Sequence, residues 1–156
     1  MPITIRPATL DDEQAVLDLI EQLFDPPGGP PPQYSRERGS TGFRWAVAQP
    51  DADVLLAFGG DQLAGLSSVY QDIQSIRFGP RCWLQDLVVR GDRRGQGIGG
   101  ELLRASSAWA RERGCTHLEL GSGAGRVDAH RFYKSQGMTQ SMDFFIWLGD
   151  YPVTLS

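Results

Sequence analysis

Leu87-Val88-Val89-Arg90-Gly91-Asp92-Arg93-Arg94-Gly95-Gln96-Gly97-Ile98-Gly99-Gly100, residues 87–100, runs from an apolar segment into a cluster of glycines at 95, 97, 99 and 100. A glycine inside a helix costs up to about 1 kcal/mol relative to alanine, so this density needs a physical reason. Glycines let the backbone come close to a ligand. The first turn of a helix leaves its N–H groups without intrahelical partners, aimed at an anion with the helix dipole behind them. Arg93 and Arg94 add positive charge at the mouth of the turn. The stretch therefore reads as a strand, a phosphate-binding turn and a helix, with a pyrophosphate held by the backbone of Arg94, Gly95, Gln96, Gly97, Ile98, Gly99 and Gly100.

Two other phosphate-binding patterns compete for these glycines. Gly95-x-Gly97-x-x-Gly100 fits the dinucleotide fingerprint, and Glu119 stands about 20 residues on, as that fingerprint asks. In that unit, however, the first glycine follows almost directly on its strand, whereas Arg90 to Arg94 intervene here, and too little chain follows Gly100 for a six-stranded domain. A Walker A loop fails outright, since no Gly-Lys-Ser/Thr follows.

Outward from the turn, residues 82–89, 63–70 and 53–58 read as strands, the last two joined by the hairpin turn Gly59-Gly60-Asp61-Gln62. Residues 3–6 alternate like a short strand, and Val16, Leu19, Ile20, Leu23 and Phe24 form one stripe of an amphipathic helix that ends before Asp25-Pro26. Residues 26–42 are rich in breakers and lack periodicity; they read either as a functional loop or as a solvated linker. Beyond the turn, a helix is expected over about 99–113, stopped by Gly114, then a strand at 117–120, a helix at 127–136 closed by Gly137, and a last strand at 144–148. This order describes one mixed α/β sheet with helices on its faces.

With 156 residues and 40% apolar content, the chain suits a single domain spanning 1–156. A net charge of -4 and a pI near 5.1 argue against nucleic-acid and anionic-membrane partners. Cys82 and Cys115 are too few for a disulfide framework, and they and the two histidines lack metal-ligand spacing, so no metal is expected. The N-terminus has no signal-peptide core and no segment approaches a membrane span, which makes a soluble, cytoplasmic protein the expectation.

Trp83-Leu84-Gln85-Asp86-Leu87-Val88-Val89 followed by Arg94-Gly95-Gln96-Gly97-Ile98-Gly99 resembles motif A of the GCN5-related N-acetyltransferase (GNAT) family. Downstream, Ala129-His130-Arg131-Phe132-Tyr133 with Gly137-Met138 resembles its motif B, Met replacing the usual Phe, and Ile5-Arg6-Pro7-Ala8-Thr9 is similar to its common opening. The resemblance implies a mostly antiparallel sheet splayed at its centre, with helices on both faces, and acetyl-CoA as co-substrate. The pantetheine arm would pair with the backbone of Leu87, Val88 and Val89, and the diphosphate would sit on the Arg94 to Gly100 turn. Arg126 stands where many members carry a cofactor-contacting Asn. A homodimer is an assembly the family often forms.

Acetyl transfer needs a base for the ammonium proton, a donor to the developing oxyanion and an acid for the departing thiolate. Tyr133 matches the family's tyrosine that protonates the sulfur, and its other reading is a core aromatic beside Phe132. The oxyanion donor would be the Leu87 or Val88 N–H. The position where many members carry a basic Glu is Gln85, which accepts no proton usefully. Asp86, set on the opposite face by simple alternation, Glu119, Asp72 and a chain of waters remain as alternatives. His117 and His130 read as surface or flanking residues. The acceptor is expected to be a primary amine of a small molecule or a protein, with Tyr34, Phe43, Trp45, Tyr70 and Trp83 available to line its pocket. The alternative function is a non-catalytic acyl-CoA-binding module.

Overall fold

The computed structural model describes residues 2–26 and 28–145, and backbone contacts divide the chain into two compact units, Met1–Gly121 and Ser122–Ser156. In the first unit, strand β1 (Ile3–Pro7) is followed by helices α1 (Glu13–Glu21) and α2 (Arg36–Ala48). Strands β2 (Ala52–Gly59), β3 (Gln62–Ser75) and β4 (Gly79–Val89), helix α3 (Ile98–Glu112) and strand β5 (His117–Leu120) complete it. The sheet order is β1-β2-β3-β4-β5, antiparallel until the last pair, in which β5 runs parallel to β4. The expected mixed, mostly antiparallel sheet is therefore present.

Its two faces carry different helices. Val16 and Leu19 of α1 and Phe43 and Ala46 of α2 pack with Val54, Leu56, Leu66 and Val88 in one cluster. Ile98 and Leu102 of α3 pack with Ala57 and Ala64 in the other, against Ile3, Ile5, Leu87 and Val89. Gly65 is what lets α3 come this close: a Cβ there would stand 2.8 Å from the Val88 carbonyl oxygen and 2.9 Å from Leu102 Cδ1.

Helix α2 corrects the reading of residues 26–42 as irregular throughout. Ser35 caps it, its Oγ accepting from the Arg38 N–H at 3.1 Å, so the helix starts inside the supposed loop. Its apolar stripe is thin, with only Phe43 and Ala46 buried, and Gly39 and Gly42 weaken its propensity. Polar contacts with α1 take over. Arg36 meets Glu21 at 3.0 Å and Asp18 at 2.8 Å, Arg44 meets Glu13 at 2.7 Å, and Tyr34 donates to Glu21 at 2.6 Å.

In the second unit, α4 (Val127–Ser135) is closed by Gly137 at φ +91°, and the Met138 N–H reaches back to the Tyr133 carbonyl at 3.1 Å. Most of the strand expected at 144–148 lies outside the described residues. No helix among the described residues is long and apolar enough to cross a membrane.

Candidate active site

Beyond Leu84 the β4 strand loses its parallel neighbour. The β4–β5 ladder runs from Arg81↔His117 to Leu84↔Leu120 and stops, while β4 stays paired with β3 through Val89↔Gly65. Among the described residues, the outer edge of Leu87, Val88 and Val89 is thus left for another extended partner. Those N–H and C=O groups need hydrogen bonds, and a ligand with amides of its own can supply them.

The turn that follows is built as the glycines require. Gly95 and Gly97 have φ of +77° and +81°, in the left-handed region, and Gly97 is the N-cap residue of α3. A Cβ at either position would meet no atom within 4 Å, so the space before the helix N-terminus is open. Arg94 is exposed and has no carboxylate partner among the described residues; Arg93 is tied to Gln62 at 3.1 Å and Gln96 at 3.3 Å. An acetyl-CoA diphosphate fits this cradle by charge, by free amides and by room. Replacing Gly97 with Ala should cost about 1–2 kcal/mol of stability through the left-handed backbone alone and weaken CoA binding, as read by thermal melting and calorimetry. Unchanged CoA affinity would remove the diphosphate from this turn.

The sheet register then decides what surrounds the open edge. Ser68 pairs with Asp86 and Val69 with Leu84, so Gln85 is an extra residue, a β-bulge. Strict alternation, which would set Asp86 and Gln85 on opposite faces, does not hold across it. Trp83 and Asp86 share the α1/α2 face with their cross-strand partners Tyr70 and Ser68, and the Trp83 indole donates to Gln85 Oε1 at 2.6 Å. Leu87 and Val89 face α3.

Asp86 is gripped by one hydroxyl. Ser68 Oγ donates to Asp86 Oδ2 at 2.8 Å and accepts from the Asp86 N–H at 3.0 Å. Burial pushes the Asp86 carboxyl above the usual carboxylate range, and the Ser68 hydrogen bond opposes that shift. Tyr70 is also raised, first by burial and then by the Asp86 charge. Trp45 of α2 stacks on the Tyr70 ring at 6.2 Å, so two of the aromatics expected to line a pocket meet on this face, Tyr70 being the one that feels the Asp86 charge.

Glu119 is differently occupied. It meets Arg81 at 3.1 Å and His117 Nε2 at 3.1 Å, and Arg81 also takes Asp72 at 2.8 Å while lying over the Trp83 ring at 4.8 Å. Both carboxylates are thereby committed to one guanidinium. Cys82 is fully buried and its thiol is pushed up to about 12, chiefly by burial, which makes it inert. No cluster of metal-ligating side chains occurs among the described residues.

In the second unit, Tyr133 lies on α4 with its ring 5.4 Å from that of Phe132, and Arg126 precedes the helix as its N-cap residue. Burial raises the Tyr133 phenol, and the Arg126 charge partly offsets this. The structure thus brings Asp86, Leu87, Val88, Val89 and the turn onto one continuous segment of the first unit, with Tyr133 and Arg126 together in the second. Ser68 and Arg81 escaped the sequence reading. A signal existed for the serine: Ser67-Ser68 interrupts an otherwise apolar strand, and buried hydroxyls need partners. Ser67 finds Ser106 of α3 at 2.9 Å on one face and Ser68 finds Asp86 on the other.

These features agree with what the chain is similar to. The sequence model of the Acetyltransferase (GNAT) family matches residues 15–138. An aminoalkylphosphonate N-acetyltransferase of Salmonella typhimurium is 30% identical over 142 residues, covering 90% of this chain and 88% of that protein. Among solved structures, AAC(6')-Iy in complex with a bisubstrate analogue of CoA superposes with a TM-score of 0.83 at 12% identity, over 97% of this chain and 100% of that one. Glucosamine-6-phosphate N-acetyltransferase from Arabidopsis thaliana gives 0.77 at 18% identity, over 96% and 100%. At such identities these two likenesses speak for the fold alone. The family match over most of the chain, a span that includes the open edge of β4, the glycine turn and α4, means that this chain belongs to the GNAT family and is an acetyl-CoA-dependent N-acetyltransferase.

Proposed function

We propose that this enzyme acetylates a primary amine at the open edge of β4, with Asp86 as the base that deprotonates the acceptor. The single observation behind this reading is the position of Asp86. It immediately precedes Leu87 to Val89, whose outer edge has no strand partner among the described residues, on the α1/α2 face, with its carboxyl raised by burial. A carboxylate whose pKa has been lifted toward neutrality is a better proton acceptor than an ordinary one. Glu119 and Asp72 are each engaged by Arg81, which leaves them less free to meet an acceptor.

Bound acetyl-CoA supplies the activated acetyl group as a thioester. The backbone of Leu87, Val88 and Val89 would align its pantetheine arm, and the N–H groups of residues 94–100 would hold its diphosphate, with Arg126 as a further contact. Asp86 takes one proton from the acceptor ammonium. The amine nitrogen then bonds to the acetyl carbon while the C–S bond breaks, and the Leu87 or Val88 N–H steadies the oxyanion. Of the two protons the nitrogen loses overall, one is released to solvent and Tyr133 delivers the equivalent of the other to the thiolate.

The acceptor class follows from charge. The guanidinium of Arg81 is filled by Asp72 and Glu119, so among the described residues this part of the sheet offers no spare cation for an anionic acceptor. A cationic amine fits the Asp86 carboxylate and the neighbouring Tyr70 ring better than the aminoalkylphosphonate named for the Salmonella relative. We place the enzyme in the cytoplasm, as one domain over 1–156 that can form a homodimer.

Thiol release from acetyl-CoA in the presence of an aminoalkylphosphonate, an aminoglycoside, a diamine and a lysine peptide tests the reading. Turnover on the polycationic amines is expected. CoA binding without turnover on any amine would favour the non-catalytic module that Gln85 in place of the usual Glu permits, and turnover confined to the phosphonate would reverse the acceptor class.

A further inference from the structure

We propose that Ser68 is a positioning residue for acetyl transfer: its hydroxyl holds the Asp86 carboxylate with one oxygen bonded and the other turned to the acceptor. This rests on Asp86 being the base. Ser68 lies on β3, is 4% exposed, and is the cross-strand partner of Asp86, the last pair of the Gly65–Val89 ladder before the bulge at Gln85. Its Oγ closes a small ring, donating to Oδ2 and accepting from the main-chain N–H of the same residue. Side chain and backbone of Asp86 are therefore fixed together at the point where the β4 edge opens. Among the described residues Oδ1 takes no hydrogen bond, which leaves it as the oxygen that receives the proton.

Nothing else in the surroundings substitutes for this contact. Tyr70 is the titratable group facing Asp86 from β3. Arg81, Asp72 and Glu119 lie past the Tyr70–Trp83 pair and are engaged with one another. Of the charged side chains of α1 and α2, Glu13, Asp18, Glu21, Arg36 and Arg44 are paired between those helices, while Glu37 and Arg38 are exposed and Arg38 donates to the Gln33 carbonyl. Ser68 is thus the one hydrogen-bond donor to the carboxylate among the described residues, and it stabilises the charged form against burial.

The test measures kcat and KM across pH for Ser68→Ala, Ser68→Thr and Asp86→Asn in the full chain. Ser68→Ala should lower kcat/KM for the amine roughly ten- to a hundredfold, with KM for acetyl-CoA unchanged. The acid limb of its profile should move to higher pH, because burial then acts on Asp86 unopposed. Ser68→Thr, which keeps the hydroxyl, should restore both. A limb that stays in place, or an equal loss in the threonine variant, overturns the positioning role and leaves Asp86 as base intact. Full activity in Asp86→Asn overturns the base assignment itself. Should Ser68→Ala fail to fold, Ser68→Cys carries the same readouts, since its thiol is a poor donor.

Discussion

Tyr133→Phe is expected to lower kcat by roughly 10²- to 10⁴-fold while CoA affinity is largely kept. The phenyl ring retains the shape and the packing beside Phe132, so the change removes one O–H group and little else. Burial keeps the Tyr133 phenol above its ordinary value of about 10, so it is protonated throughout the working range and available as a donor. A free thiolate near pKa 8.5 is the weaker base, and transfer from a phenol to it is useful only at the moment the C–S bond breaks, when the sulfur carries full charge and has lost its water. The loss should therefore fall on kcat and kcat/KM alike, the pattern of an interaction made only in the transition state. It should also shrink with thioesters whose thiol leaves readily without a proton. Unchanged turnover would return Tyr133 to its other reading, a packed aromatic on α4.

The parts of this site that were legible in the sequence are those set by local backbone chemistry. Gly95 and Gly97 adopt positive φ, a demand that only glycine meets without strain, so their spacing announced the turn before any tertiary contact was known. The strand before it and the helix after it followed from apolar runs of the expected length. Helix α2 was hidden because its buried stripe, Phe43 and Ala46, is too thin to show a period, and the pairs that tie it to α1, such as Arg36–Asp18 and Arg44–Glu13, join residues far apart in the chain.

The surroundings of Asp86 were hidden for a related reason. Which face a strand residue takes depends on register, and one extra residue reverses it. The bulge at Gln85 is a property of the β3–β4 pair and is invisible in either strand alone. Alternation therefore separated Asp86 from Gln85, and the partnership with Ser68 had no local signature beyond two hydroxyls in an apolar run. In the same way, β5 could be read as a strand at 117–120, but only its pairing shows that it ends opposite Leu84 and leaves the outer edge of the next β4 residues open among the described residues.

Asp86→Asn separates function from stability, with effects of opposite sign. Turnover at neutral pH should fall roughly 10²- to 10⁴-fold, because an amide cannot take the ammonium proton. The deficit should narrow as pH approaches the acceptor's own pKa, near about 10 for an ordinary alkylamine, where free amine arrives without help. The melting temperature should rise at neutral pH. Asp86 has a folded pKa above its unfolded one, so the stability its protonated form contributes is fully present below the unfolded value, and is lost as pH climbs through the folded value. Asparagine is neutral at every pH and escapes that loss, and its Oδ1 can still accept from Ser68 Oγ. The two proteins should thus melt alike well below the ordinary carboxylate range and diverge above it, the variant being the more stable. A functional carboxylate kept at the expense of stability is the expected signature of a base held out of water. Equal melting across pH would mean that the group is solvated, and full turnover at neutral pH would assign the proton to a water chain instead.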